Sequence, residues 1–266
     1  MAGIAFIGGG NMATAILGGL IAKGMAADQI TVADPGAEQR ARLQTGYGVR
    51  VTDDPREGCA EADTVVLAVK PQVIAQVAGQ LAGMLDGKLL ISIAAGVQVA
   101  RLETLFGPRA IVRTMPNTPA LLGLGATGIF ANAHVDDAQR ARARDIVEAF
   151  GLCIDLARED LLDAVTAVSG SGPAYVYLLI EEMTRSGVTL GLTPEDATTL
   201  AVQTALGAAT MAAAGDATPE ELRCRVTSPG GTTHAAITSM RRHGFGGVIA
   251  KAMTACRDRA VELGKE

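Results

Sequence analysis

The chain has 266 residues, a formal net charge of −5, 48% hydrophobic and 19% charged residues, and only 3% aromatic residues with no Trp. An acidic balance with no basic tract and few rings to stack bases argues against a dedicated nucleic-acid binder, and no run of 18 or more apolar residues marks a membrane span. Glycine is in excess at 32 residues, but without the three-residue period of collagen or the long Gly/Ser tracts of a linker.

Residues 1–10 run straight into a strand-like segment with no basic region and no cleavage site, so no secretory signal is expected. Cys59, Cys153, Cys224 and Cys256 stand at long, irregular gaps without a CxxC pair. His134, His234 and His243 are equally scattered, and none stands at a zinc-ligand spacing. Free thiols in a reducing cytoplasm, and no metal, are the expectation.

The first half alternates strand-like and helix-like segments. Apolar runs at 3–8, 29–34, 64–70, 89–95 and 110–117 read as strands, with helical patterns near 11–23, 37–43, 72–85 and 97–105. Continuous apolar strands suit a parallel sheet buried on both faces, and repeated βα units imply a doubly wound α/β domain. Short runs at 126–131 and 152–156 extend the sheet. The helix between them, about 137–150, is expected to end at Gly151 as its C′ glycine. Beyond about residue 160 strand signals stop. Thr193-Pro194 and Thr218-Pro219 each pair an N-cap with an N1 proline, followed by acids in the first turn. Residues 234–243 and 245–263 read as further helices. The expected division is a dinucleotide-binding domain at 1–158 and an all-α domain at 159–266. The helix at 194–214 is small and apolar on all sides, which implies burial. So short a helical domain offers little interior, which points to a homodimer interface.

Gly8-Gly9-Gly10-Asn11-Met12-Ala13 follows the first strand and opens a helix. It is a GxGxxA form of the dinucleotide fingerprint: Gly8 for the tight turn, Gly10 for approach of a pyrophosphate, Ala13 for close helix–strand packing. The helix N-terminus offers N–H groups to phosphate. Asp34, at the end of the second strand, stands where a carboxylate accepts ribose hydroxyls and repels a 2′-phosphate, favouring NADH over NADPH; otherwise it caps the turn Asp34-Pro35-Gly36. Arg40 and Arg42 offer a phosphate partner nearby. Ala68, Val69, Lys70 and Pro71, then Ala95, follow strand ends and should border the cofactor. Asn117, in the stiff Met115–Pro119 turn, offers an amide there.

The strings FIGGGNMATAILGGL, AVKP, SIAAG, MPNTPA, SGSGPAYVY and VTSPGGTT together resemble the pyrroline-5-carboxylate reductase family in order and spacing, over essentially the whole chain. The resemblance implies a Rossmann domain followed by an all-α dimerisation domain, and reduction of the C=N bond of 1-pyrroline-5-carboxylate to L-proline by NAD(P)H. It also implies a homodimer that assembles into rings of dimers, with each active site between the cofactor domain of one subunit and the helical domain of its partner.

The substrate is a small imine carboxylate. Ser228, Gly230, Gly231, Thr232 and Thr233 form a glycine-containing turn into a helix, where free N–H groups suit one carboxylate. By resemblance, the Thr233 hydroxyl meets the ring nitrogen. The family often carries a Glu where this chain has Asp216, one methylene shorter, so Asp216 either serves the same role or is a turn residue before Thr218. The alternatives are a β-hydroxyacid-type dehydrogenase or a non-enzymatic dinucleotide sensor. The first is disfavoured because the helical half has Lys only at Lys251 and Lys265. The second is disfavoured by the intact SPGGTT string.

Overall fold

The structure is a computed structural model and describes residues 3–264. In chain order its mixed part comprises β1 (Gly3–Ile7), α1 (Asn11–Ala22), β2 (Ile30–Ala33), α2 (Ala37–Tyr47), β3 (Arg50–Thr52), α3 (Pro55–Cys59), β4 (Ala62–Leu67) and α4 (Ile74–Gln80). It continues with β5 (Leu89–Ser92), α5 (Val99–Phe106), β6 (Ile111–Met115), β7 (Gly125–Ala131), α6 (Asp137–Glu148) and β8 (Gly151–Asp155). The helices that follow are α7 (Leu161–Val165), α8 (Gly172–Thr189), α9 (Pro194–Ala213), α10 (Pro219–Arg225), α11 (Thr232–Arg242) and α12 (Phe245–Leu263), with a π-turn at Thr166–Gly170.

The sheet order is β3-β2-β1-β4-β5-β6-β7-β8. The continuous apolar strands are buried on both faces, as the sequence implies. One cluster holds Phe6, Ile16, Leu17, Leu43, Ile146 and Phe150 under α1, α2 and α6. The other holds Ile7, Leu67, Ile74, Leu81, Leu90 and Leu102 under α4 and α5. The chain reverses its sheet-building direction between β2 and β4, on either side of β1. A crevice at the strand C-termini of such a switch point is where open α/β sheets take ligands.

Within the sheet, β7 and Gly151 differ from the sequence reading. β7 runs antiparallel to β6. The link between them, residues 116–124, is shorter than the dozen or more residues a parallel crossover needs. Gly151 is not a helix cap: α6 ends at Glu148 with Ala149 right-handed, and Gly151 opens β8 opposite Gly125. A Cβ at Gly151 would overlap the Gly125 backbone, so this glycine is required by strand approach.

Packing divides the described residues into one compact unit of residues 3–171 with 256–264, and a second of residues 172–255. The change to all-helical structure falls earlier, at α7, close to the expected boundary at 158/159; the two criteria place the division differently. Within the second unit α8 packs on α9, where a Cβ on Gly187 would lie 3.1 Å from the Ala197 methyl. α9 starts at the expected Thr193 cap, whose hydroxyl accepts from Asp196 N–H at 3.1 Å. Burial of α9 is not met within one chain: only Ala197 and Ala201 are buried, while Leu200, Leu206 and Met211 are 56%, 55% and 61% exposed.

All four cysteines are free thiols. Burial pushes the Cys59 thiol up to about 11 against the pull of Lys88, and pushes Cys153 up to about 11 against Arg144. Both are therefore protonated near neutral pH, and only the thiolate is nucleophilic. Cys59 and Cys153 are expected to stay unmodified by a disulfide reagent in the native protein at about pH 7.5 and to react on unfolding. Mass spectrometry showing native labelling of Cys59 would contradict this.

Candidate active site

Every element of the expected cofactor strip ends at the same edge of the sheet. Gly8 follows β1 and donates its N–H to Ala33 O at the end of β2, 2.8 Å away; Ala68 N–H at the end of β4 donates to Ile7 O at 2.8 Å. Gly8 has φ +97°, and a Cβ there would lie 2.6 Å from Ala68 O. Its glycine is dictated by the fold. Gly9 is constrained by packing alone: a Cβ would lie 2.8 Å from Leu43 Cδ1 and 3.2 Å from Val32 Cγ1. Gly10, the N-cap of α1, is exposed, and a Cβ there would meet nothing within 4 Å. Nothing in the protein requires that glycine, which leaves room for a phosphate to approach the backbone. The loop therefore fits a dinucleotide.

No side chain caps α1, whose N-cap is Gly10. By contrast α6, α9 and α10 are capped by Asp136, Thr193 and Thr218, and the first N–H of α5 is taken by Glu159. The open first turn of α1 is thus free for anionic oxygens.

Asp34 occupies the predicted place at the end of β2, but its carboxylate already has partners. Oδ2 accepts from Gly9 N–H and Oδ1 from Gly36 N–H, both at 2.8 Å. The turn-capping reading of Asp34 therefore holds, alongside whatever it does for a ribose. Arg40 donates to the carbonyls of Asp34 and Pro35 at 2.7 and 2.9 Å and faces Asp53 at 3.6 Å. Gln39 donates its side-chain amide to Gly9 O. Thr14 is almost buried and donates to Gly10 O at 3.0 Å. Gly9, Gln39 and Thr14 escape a reading of the fingerprint, which treats position 9 as free and gives no signal for a partner 30 residues away.

Asn11 is exposed and Met12 half-buried at the start of α1. Ala68 and Val69 are half-buried after β4; Lys70, Pro71 and Ala95 are exposed. Asn117 differs from expectation. It is 8% exposed, its amide donates to Ser169 O at 2.9 Å and its carbonyl accepts from Ala126 N–H at 2.9 Å. Those bonds make it a staple joining the Met115–Pro119 turn to the π-turn at Thr166–Gly170, where a Cβ on Gly170 would meet Met115 Cε at 2.6 Å. A buried amide so engaged is not aimed at a ligand.

In the helical unit, Ser228-Pro229-Gly230-Gly231 folds as a tight turn. Gly231 N–H donates to Ser228 O at 3.0 Å and Gly230 has φ +72°, the type II pattern with Pro at the second position and Gly at the third. α11 follows with Gly231 as N-cap and no side-chain cap hydrogen bond, as at α1, although here the Ser228 hydroxyl stands close, 2.6 Å from where a Cβ on Gly231 would lie. Thr232 is exposed and Thr233 half-buried at the first two helical positions. Asp216 is exposed in the bend before the Thr218 capping box. Among the described residues no group of His, Cys, Asp and Glu is arranged to hold a metal ion, and no helix is long and apolar enough to cross a membrane.

Comparison with known proteins identifies the whole. The family described as pyrroline-5-carboxylate reductase dimerisation matches residues 159–263, and that described as NADP oxidoreductase, coenzyme F420-dependent, matches residues 3–96. The pyrroline-5-carboxylate reductase of Pseudomonas aeruginosa is 50% identical over 99% of this chain and 97% of its own length. The solved structure of the Coxiella burnetii pyrroline-5-carboxylate reductase is 43% identical, with a TM-score of 0.96 over 100% of this chain and 99% of that one. The Plasmodium falciparum pyrroline carboxylate reductase, solved with NADP bound, is 29% identical, with a TM-score of 0.87 over 99% and 98% of the two chains. The chain belongs to the pyrroline-5-carboxylate reductase family and is an oxidoreductase of that family.

Proposed function

We propose that the protein reduces 1-pyrroline-5-carboxylate to L-proline, the last step of proline biosynthesis, as a cytoplasmic homodimer. Residues 1–158 serve as the dinucleotide domain and residues 159–266 as the dimerisation and substrate domain. The observation that carries this reading is that two of the three glycine-led helix starts without a side-chain cap, at Gly10 and Gly231, lie in the strings GGGNMA and SPGGTT, in a chain half-identical to a named reductase; the third, at Gly36, has its N–H taken by Asp34. Each start suits one anion: the pyrophosphate of a dinucleotide at α1 and the carboxylate of the imine at α11.

Bound NAD(P)H supplies the hydride to the imine carbon. The residues of the chain bind and orient. Gly8, Gly10, Asn11 and Met12 cradle the pyrophosphate, and Asp34 stands on the ribose side. Ala68, Val69, Lys70, Pro71 and Ala95 line the strip. Asn117 supports it from behind. Ser228, Gly230, Gly231 and Thr232 take the carboxylate, and the Thr233 hydroxyl hydrogen-bonds the ring nitrogen, with Asp216 assisting through water. Catalysis then rests mainly on proximity and orientation. NADH is the preferred donor, because the Asp34 carboxylate is fixed by two backbone N–H groups and Arg40 is tied to carbonyls and Asp53. The exposed apolar residues of α9 support the homodimer, and the free thiols accord with a reducing compartment.

The test is NADH and NADPH oxidation with pyrroline-5-carboxylate, alongside 3-hydroxyacids in the reverse direction. Turnover with the imine and a higher kcat/KM with NADH are expected. Thr233→Ala is expected to lower kcat/KM roughly tenfold, the weight of one oriented hydrogen bond. No imine turnover with either cofactor overturns the reading.

A further inference from the structure

Gly9 is gripped from both sides by the segment that follows β2. Its N–H donates to Asp34 Oδ2 at 2.8 Å, and its carbonyl accepts from the Gln39 side-chain amide, with the Thr14 hydroxyl more distant at 3.5 Å. A trans peptide points its C=O and N–H in opposite directions. Fixing the Gly9 carbonyl toward Gln39 therefore turns the Gly10 N–H the other way. That N–H has no acceptor among the described residues, and the space around Gly10 is open.

We infer that Gln39 is a positioning residue for the phosphate loop. It acts through Gly9 to present the Gly10 N–H to the pyrophosphate, and it couples the loop to the β2–α2 turn that carries Asp34. The inference rests on the dinucleotide reading above. Thr14 complements Gln39 by holding the next carbonyl, Gly10 O, at 3.0 Å. Gln39 is half-buried in the first turn of α2, so its amide reaches back over the loop without helping to close the core.

The experiment is direct binding, by fluorescence titration of NADH and of NADPH into the homogeneous full-length protein, with steady-state kinetics and a melting curve in parallel. Gln39→Ala is expected to raise Kd for both dinucleotides by a similar factor, roughly three- to tenfold, as one lost hydrogen bond dictates. KM for NADH and NADPH rises in step. kcat at saturating cofactor, KM for the imine and Tm without cofactor stay near parental values. Gln39→Met keeps the length of the stem without the donor and repeats the measurement should the alanine variant fold poorly. Gln39→Glu, which sets an acceptor against the Gly9 carbonyl, is expected to weaken binding further. Parental Kd values in Gln39→Ala and Gln39→Met overturn the inference, as does a loss confined to NADPH, which would make Gln39 a reader of the ribose phosphate. A parent that binds neither dinucleotide would instead overturn the underlying reading.

Discussion

Gly10→Ala is expected to fold with a parental melting temperature and to bind NADH and NADPH ten- to a hundredfold more weakly, whereas Gly8→Ala is expected to lose about 3 kcal/mol or more of stability. The two glycines look equivalent in the fingerprint, and the structure separates them. At Gly8 the backbone is left-handed, with φ +97°, and a Cβ would sit 2.6 Å from a backbone carbonyl that cannot swing away. Strain and overlap act together there. At Gly10 the backbone is extended, with no protein atom within 4 Å of an added Cβ. A methyl group is harmless to the apo fold, but it stands where a pyrophosphate must come close. Overpacking a close contact costs about 1–3 kcal/mol, and each 1.4 kcal/mol is tenfold in Kd. Melting curves and fluorescence titrations on the two variants separate the effects. Parental affinity in Gly10→Ala would remove this loop from the phosphate site.

Much of the fold was written in local pattern. β1, β4 and β5 are continuous apolar runs, and α9 and α12 begin and end within a residue of where caps and periodicity put them. The five expected strands overrun the observed ends, at 8, 34, 70, 95 and 117 against Ile7, Ala33, Leu67, Ser92 and Met115, because the residues just past the last ladder bond, such as Ala68, Val69, Ile93 and Ala94, continue the apolar run into the turns before a polar residue ends it. β3 and α3 were not legible. β3 has three residues, of which Arg50 is exposed, and α3 is a five-residue turn behind the Asp54 cap, too short for either period to declare itself.

The candidate site divides the same way. Turn chemistry announced Gly8, Gly230 and the two open helix starts. What spacing did not reveal were contacts between distant segments: Gln39 on Gly9, Asn117 on Ser169, and Gly151 against Gly125. A sequence pattern reports which backbone a residue favours. It does not report which carbonyl lies across from it once the sheet is assembled.

Glu159→Ala is expected to destabilise the protein by about 2–4 kcal/mol. One carboxylate oxygen does two jobs: Oε1 accepts from Arg113 NH1 at 2.9 Å and from Val99 N–H, the first of α5, at 2.8 Å. Arg113 projects from the centre of the sheet on β6 with its side chain 8% exposed, and Glu159 is 24% exposed. Removing a partner from a buried pair costs about 3–5 kcal/mol, because a desolvated charge is left alone. Water reaching the quarter-exposed carboxylate lowers that figure, and the uncapped start of α5 adds about 0.5–1 kcal/mol. Burial pushes the Asp163 carboxyl up, against the pull of Arg113, and the Glu159 and Asp160 carboxylates push the same way as burial; Glu159→Ala removes one of these, so Asp163 offsets part of the loss. Glu159→Gln keeps an acceptor oxygen for Val99 and is expected to lose less than alanine. The double variant Arg113→Met/Glu159→Leu, which leaves no buried charge, is expected to lose less than Glu159→Ala alone. Denaturant titration of the four proteins decides the matter, because the midpoint reports the stability difference directly. If Glu159→Ala shares the parental midpoint, Arg113 is satisfied without Glu159.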